Sequence, residues 1–161
     1  MKKFLSVIIL FVLSNFAFSC DCGWGGPFLK MAHDGDAILK GKVKQHSVLS
    51  ADDFAIAMEF QVIGNYKGEA GARVTVWGDF GAHCRPLIRR FPEGSEWVLI
   101  LDKIEGPADG DNFVIRDCGQ FWVPVEDGIA FGPIFEQSER ESEDEVALED
   151  LKEMILQLKP H

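Results

Sequence analysis

The sequence predicts a mainly β fold, a small barrel or sandwich of five strands with a helix near its C-terminal end. Three features lead to this prediction. Five short segments rich in β-branched and aromatic residues follow one another. Turn-forming Gly, Pro, Asp and Asn separate these segments. Residues 146–158 then change to apolar residues at helical spacing, which is typical of an amphipathic helix.

The first 19 residues are predicted to be a secretory signal and not part of the fold. An apolar run follows a head of two lysines, and Ala17 and Ser19 are small residues of the kind that signal peptidases favour. The run is shorter than the roughly 20 apolar residues of a membrane-spanning helix. Cleavage before Cys20 leaves 142 of the 161 residues, enough for one secreted or periplasmic domain with its own core.

The helix and strand signals of the domain come in a clear order. Pro27 is suited to open a short helical turn that reaches Met31. The five strand segments are residues 37–48, 54–66, 73–77, 96–101 and 112–116. Gly41 interrupts the alternation of the first strand and predicts a β-bulge. The nearly continuous apolar run of the fourth strand predicts that it is buried on both faces.

Residues 126–161 are predicted to be an acidic linker followed by an amphipathic helix that packs on the barrel. Ser142 and Glu145 have the spacing of a capping box, which marks a helix start. Apolar residues then recur at helical spacing from Val146 to Leu158. Residues 121–135, which overlap the start of this segment, are aromatic and contain prolines, and no strand is assigned to them.

The charge balance of the chain bears on which classes of molecule it can bind. The signal takes two of the 16 basic residues, so 14 basic residues remain against 26 acidic ones. Phosphate binding needs a cationic surface, and a nucleic-acid partner is therefore not expected. We expect a monomer that has no membrane attachment unless Cys20 is lipidated.

Motifs of the common enzyme classes are missing from the sequence. It contains no Gly-rich phosphate loop, no G-x-S-x-G and no H-E-x-x-H, and its four histidines are not at metal-ligand spacing from one another. His83 and Cys84 beside Cys20 and Cys22 are the one candidate zinc site within the chain, but an oxidising environment favours disulfides over thiolate ligands. We therefore expect neither an enzyme nor a bound cofactor or metal.

The cysteines of an exported chain are expected to form disulfides. The chain has four, at Cys20, Cys22, Cys84 and Cys118. Four cysteines allow three pairings, and spacing alone does not choose among them.

An ordered set of short motifs runs through the strand-rich part. It consists of the Cys-x-Cys at Cys20, the "YKG" that ends the second strand, the lone Cys84, and "CGQFWVP" from Cys118. Together they resemble the netrin-like domain of the tissue inhibitors of metalloproteinases (TIMPs), in a single-domain bacterial-type form, over about residues 20–125. The resemblance implies a five-stranded OB-type barrel. It also implies the disulfides Cys20–Cys84 and Cys22–Cys118.

The resemblance further implies a function for the new N-terminus. In TIMPs the amine and carbonyl of the N-terminal cysteine chelate the catalytic zinc of a metalloendopeptidase, and Cys20 takes this position here. An α-amine with a pKa near 8 is partly neutral at pH 7 and can offer its lone pair. Asp21, Cys22, Ala82 and His83 match the residues that contact the protease. Asp21 stands where these inhibitors usually carry a small or hydroxyl residue.

Two other functions stay open on the sequence. A non-inhibitory binding module would have the same fold, and its candidate surface residues are aromatic: Trp24, Trp77, Phe121 and Trp122. A lipoprotein would carry lipid on Cys20, because "AFSC" fits a loose lipobox. Lipidation would leave an odd number of cysteines, which argues against it.

Overall fold

The computed structural model describes residues 22–49, 54–79, 84–106 and 108–158, so the predicted signal lies outside the described residues. The described part contains eight strands, two α-helices and a short 3-10 helix. In chain order they are α1 (Phe28–Met31), β1 (Ala37–Leu49), β2 (Ala55–Lys67), β3 (Arg73–Trp77), the 3-10 helix (Ile88–Arg90), β4 (Glu96–Ile104), β5 (Asp111–Ile115), β6 (Trp122–Glu126), β7 (Ile129–Gly132), β8 (Asp144–Ala147) and α2 (Leu148–Gln157).

The first five strands close into a barrel. β1 pairs with β2, β2 with β3, β4 with β5 and β4 with β1, all antiparallel, while β3 and β5 run parallel. β1, 13 residues long, pairs with β2 along one edge and with β4 along the other, and its register with β2 shifts at Gly41. This confirms the predicted bulge, which bends the strand as closure requires. The predicted mainly β class with an OB-like five-stranded barrel is also confirmed.

The core of the barrel centres on β4. Its residues from Trp97 to Leu101 are all buried, and Val98, Leu99 and Leu101 have no exposed surface. Burial of five consecutive side chains confirms that both faces of this strand are covered. Apolar side chains from other strands, among them Phe60 of β2 and Phe113 of β5, complete the core.

Residues 122–157 form an extension of the barrel, made of β6, β7, β8 and α2. β6 pairs with Glu96–Leu99 of β4, on the stretch of β4 that precedes its pairing with β5 from Leu101 onwards. β7 then pairs with β6 and β8 with β7. Strands therefore occupy part of the aromatic stretch and of the segment predicted as an acidic linker.

The predicted capping box is wrong. Glu145 and Val146 lie in β8, and α2 begins only at Leu148, with Ala147 as an N-cap that makes no side-chain hydrogen bond. The Ser142 hydroxyl instead accepts a hydrogen bond from the Glu139 backbone N–H at 2.9 Å. The physical reason is the free edge of β7, where strand pairing satisfies the backbone of Asp144–Ala147 and buries Val146.

α2 packs its apolar side on the rest of the molecule. Leu151 and Ile155 are buried, and the helix contacts β2 of the barrel as well as β7 and β8. The carboxylates of Glu149 and Asp150 in its first turn stabilise the helix, because they lie at the positive end of the helix dipole. In the part of the chain that the structure describes, no helix has the length and apolar character needed to cross a membrane.

Candidate functional site

The segment that follows the predicted N-terminus is fastened to the loop between β5 and β6. Cys22 and Cys118 form a disulfide with 5.5 Å between their Cα atoms. The Gly25 N–H donates to the Cys118 carbonyl at 2.5 Å, and the Gln120 N–H donates to the Gly26 carbonyl at 3.0 Å. One covalent bond and two backbone hydrogen bonds thus hold this short stretch in place.

Glycine at position 25 permits this close approach. A Cβ there would lie 2.7 Å from the carbonyl oxygen of Cys118, which is closer than a side-chain carbon can come. A larger residue would push the N-terminal segment off the loop and break the Gly25 hydrogen bond. Within the Gly-rich "GWGG", Gly25 therefore serves packing against Cys118.

α1 anchors the other end of the N-terminal segment. Phe28, Leu29 and Met31 are buried in the core. The N–H groups of Phe28 and Leu29 donate to the carbonyls of Pro133 and Ile134 at 2.9 and 3.0 Å. The segment is thereby joined to the extension as well as to the barrel.

The "YKG" motif has structural roles at the same place. Tyr66 is buried, and burial together with the nearby Glu149 raises its pKa to about 12. The Lys67 ammonium donates to the carbonyls of Ala32 and His33 at 3.1 and 2.9 Å, and so satisfies the C-terminal end of α1. Gly68 adopts a φ of 70°, which favours glycine at the turn after β2.

The two described loops that carry later cysteines share a backbone feature. Cys84 and Cys118 have φ values of 60° and 65°, in a left-handed region that residues other than glycine seldom adopt. Cys84 is also disulfide-bonded. Its expected partner, Cys20, lies outside the described residues, whereas the Cys22–Cys118 pairing agrees with the resemblance.

Most of the residues predicted to chelate the zinc or to contact the protease lie outside the described residues, namely Cys20, Asp21, Ala82 and His83. Cys22 is half-buried beside its disulfide partner. No group of three or more His, Cys, Asp or Glu side chains that could hold a metal ion occurs within residues 22–49, 54–79, 84–106 and 108–158.

The aromatic candidates for a binding surface have different environments. Phe121 belongs to the core with only 4 % of its surface exposed, so it is not a surface residue. Trp24, Trp77 and Trp122 are half-buried. The Trp77 indole N–H donates to the Asn112 side-chain oxygen at 2.9 Å, as buried tryptophans commonly require.

The structure also shows a surface that sequence reasoning missed. Residues 84–91 read "CRPLIRRF", and the segment presents three arginines on the outside of the barrel. Its sequence signal is three arginines within six residues, with apolar residues between and after them.

Two comparisons with known proteins found no relationship. No protein-family model matches the chain, and no curated protein matches its sequence.

Proposed function

We propose that the protein is an exported, non-enzymatic inhibitor of a zinc metalloendopeptidase, with Cys20 as its first residue. The Cys20 amine and carbonyl would chelate the protease zinc and displace the water that hydrolysis needs. The observation that supports this proposal most is the Cys22–Cys118 disulfide, which fastens the chain two residues after Cys20. The OB-like barrel agrees with the TIMP resemblance.

Rigidity near Cys20 is what chelation by a chain terminus demands. A flexible terminus loses conformational entropy on binding, and this loss reduces the binding free energy by about 0.5–1.5 kcal/mol for each side chain that becomes ordered. The Cys22–Cys118 bond, the Gly25 and Gly26 hydrogen bonds and the buried Phe28 of α1 restrict the segment before binding. Pre-ordering of this kind would increase affinity without adding a contact.

Asp21 bears on the kind of protease that would be inhibited. In the proposed complex this side chain enters the pocket beside the zinc, and an apolar pocket would have to desolvate its carboxylate at high cost. We therefore propose a target whose pocket is polar or positively charged. An Asp21→Thr variant should shift inhibition towards proteases with small or apolar pockets.

The decisive experiment compares two N-termini. The chain beginning at Cys20 and the same chain with one added alanine are tested against a panel of zinc metalloendopeptidases that cleave a fluorogenic peptide. The Cys20 form should inhibit at least one of them, and the added alanine should weaken inhibition by about a hundredfold or more, since the chelating amine is lost. Equal inhibition by both forms, or inhibition by neither across the panel, would exclude chelation.

A binding module that works without chelation is the second candidate, and the exposed arginines of residues 85–90 favour it. Its binding should tolerate the added alanine.

A third alternative is a lipoprotein anchored through Cys20. Intact mass and peptide mapping of the exported protein, without reduction, would distinguish it from both other candidates. A lipid on Cys20 would increase the mass and leave one cysteine thiol free, whereas two disulfides make the chain four hydrogens lighter than its reduced form.

A further inference from the structure

Three of the six arginines of the chain lie between residues 85 and 90. Arg89 and Arg90 are exposed and Arg85 is half-buried, while Leu87 between them exposes 42 % of its surface. We call these four residues the arginine platform. Pro86 and Ile88 between these residues and Phe91 after them are buried, and they fix the outward direction of the platform.

Backbone hydrogen bonds hold the segment that carries the platform. The N–H groups of Arg90 and Phe91 donate to the carbonyls of Leu87 and Ile88, both at 2.9 Å. The Asp79 N–H donates to the Pro86 carbonyl at 3.2 Å.

One guanidinium of the platform is also held by a ring. The Arg90 guanidinium lies over the Trp122 ring, 5.3 Å from its centroid, and Trp122 in turn packs edge-on against Phe91. This cation–π contact restricts the side chain without neutralising its charge. The charge of Arg90 therefore stays available to a partner.

The charges of the platform are not neutralised by the described part of the protein. None of the three arginines forms an ion pair there, although Arg73 and Arg116 pair with Glu59 and Asp102. The whole chain has a net charge of −10, so carboxylates are abundant elsewhere. Three clustered cations repel one another, and an anionic partner would relieve this repulsion.

We propose that the arginine platform binds an acidic peptide segment with an apolar side chain between its carboxylates. The platform lines an open cavity of about 620 Å³. Guanidinium groups match carboxylates with two parallel hydrogen bonds. Leu87 offers an apolar contact at the centre, which a peptide can use and a string of sulfates or phosphates cannot.

The surroundings of the platform favour a short peptide over a long polyanion. Arg90 also lines a neighbouring cavity of about 670 Å³, whose wall carries Glu126 and Asp127 as well as Glu96, which is paired with Lys40. A nucleic acid or sulfated polysaccharide that extended beyond the platform in this direction would meet these carboxylates. The proposal does not depend on Cys20, and it holds whether or not the protein inhibits a protease.

The test uses a short fluorescein-labelled peptide with glutamates on both sides of a central leucine. Its binding to the full chain is followed by fluorescence anisotropy at low salt. The variant R85Q/R89Q removes two charges and spares the Arg90–Trp122 contact, so it should fold normally. We expect it to bind at least about tenfold more weakly, because two charge-assisted pairs are lost. Leu87→Ser should weaken binding about fivefold through lost apolar contact.

Control measurements distinguish the platform from general charge. The variant K44Q/R140Q removes the same charge from exposed residues elsewhere and should bind the peptide within about twofold of the parent. Absence of peptide binding by the parent, or an equal loss in K44Q/R140Q, would overturn the proposal. So would a sulfated polysaccharide that binds more tightly than the peptide and loses its affinity in R85Q/R89Q.

Discussion

The barrel and its C-terminal extension are built from strands of the same sheet but are specified in different ways. Each barrel strand has neighbours on both sides, and its sequence shows its own strand pattern. The extension begins where β4 has a free edge before β5 joins it, and each of its strands pairs with the one before. The barrel is thus encoded by local pattern, whereas the extension depends on edges that exist only after the barrel has formed.

The largest expected effect is at the junction of the two regions. The Cys22–Cys118 disulfide joins the N-terminal segment to the loop that connects β5 of the barrel with β6 of the extension, and its two cysteines are 96 residues apart. The double variant Cys22→Ser/Cys118→Ser should lower the free energy of unfolding by about 4.5 kcal/mol, because the unfolded chain regains the entropy of a long loop. Denaturant unfolding of the parent and the variant measures this difference. A loss below about 1 kcal/mol would show that the junction does not depend on the bond.

A matched pair of leucines compares the two regions directly. Leu99 in β4 and Leu151 in α2 are both completely buried. Leu99→Ala should cost about 4 kcal/mol, because the strands around it leave little room for the cavity to collapse. Leu151→Ala should cost about 2 kcal/mol, because α2 is a terminal helix that can settle onto the barrel.

The same pair tests whether the two regions unfold together. Both variants should unfold in one transition with the denaturant dependence of the parent, since α2 contacts β2 of the barrel. Exposed Leu156→Ala is the matched control and should change stability by less than about 0.5 kcal/mol. Two separate transitions in Leu151→Ala would mean that the extension is a unit of its own.

The barrel strands could be predicted from sequence because their signals are local. Alternation in β2, the β-branched β3 and the apolar run of β4 each identify a strand without knowledge of its partner. β7 and β8 are four residues long, too short to show a period, and β8 lies in acidic sequence. Only the free edge of β7 makes a strand of Asp144–Ala147, and no local pattern contains that information.

The candidate site was predictable to a smaller extent. The Cys22–Cys118 pairing came from the family resemblance, because four cysteines alone allow three pairings. The hydrogen bonds of Gly25 and Gly26 to the loop at Cys118 connect parts of the chain that are distant in sequence. The arginine platform depends on which side chains of the segment around the 3-10 helix are buried, and that follows from the barrel surface beneath it.

A smaller loss of stability is expected on substitution of Asp144, whose carboxylate joins β8 to the segment between β7 and β8. Asp144 accepts hydrogen bonds from the Ile134 and Phe135 N–H groups at 2.8 and 3.4 Å and from the Ser138 hydroxyl. Asp144→Ala should cost about 2 kcal/mol at pH 7, because these donors lose their acceptor. Asp144→Asn keeps one acceptor oxygen and should cost less. Denaturant unfolding of the three proteins provides the comparison, and a cost for Asp144→Ala near zero would contradict it.

The Asp144 contribution should also depend on pH. Burial raises the pKa of the carboxyl, but the hydrogen bonds from Ser138, Ile134 and Phe135 outweigh burial and hold the pKa below its ordinary value. A depressed pKa in the folded state gives stability that is complete above the unfolded pKa of about 4 and is lost as pH falls through the folded pKa. The difference between parent and Asp144→Ala should therefore shrink below about pH 4. A difference that grows towards low pH would contradict this sign.

The smallest expected effects come from two substitutions that test where the terminal helix α2 begins. Ala147 is the exposed N-cap of α2 and makes no side-chain hydrogen bond. Ala147→Ser should stabilise the protein by about 1 kcal/mol, because the serine hydroxyl can accept a hydrogen bond from a backbone N–H of the first turn. Ser142→Ala, which would remove the cap if the capping box existed, should change stability by less than about 0.5 kcal/mol, because its hydroxyl bonds only the Glu139 N–H in an exposed turn. Thermal unfolding of both variants separates the possibilities. A loss of about 1 kcal/mol in Ser142→Ala with no gain in Ala147→Ser would mean that β8 gives way to helix, and that the edge of β7 does not control this part of the chain.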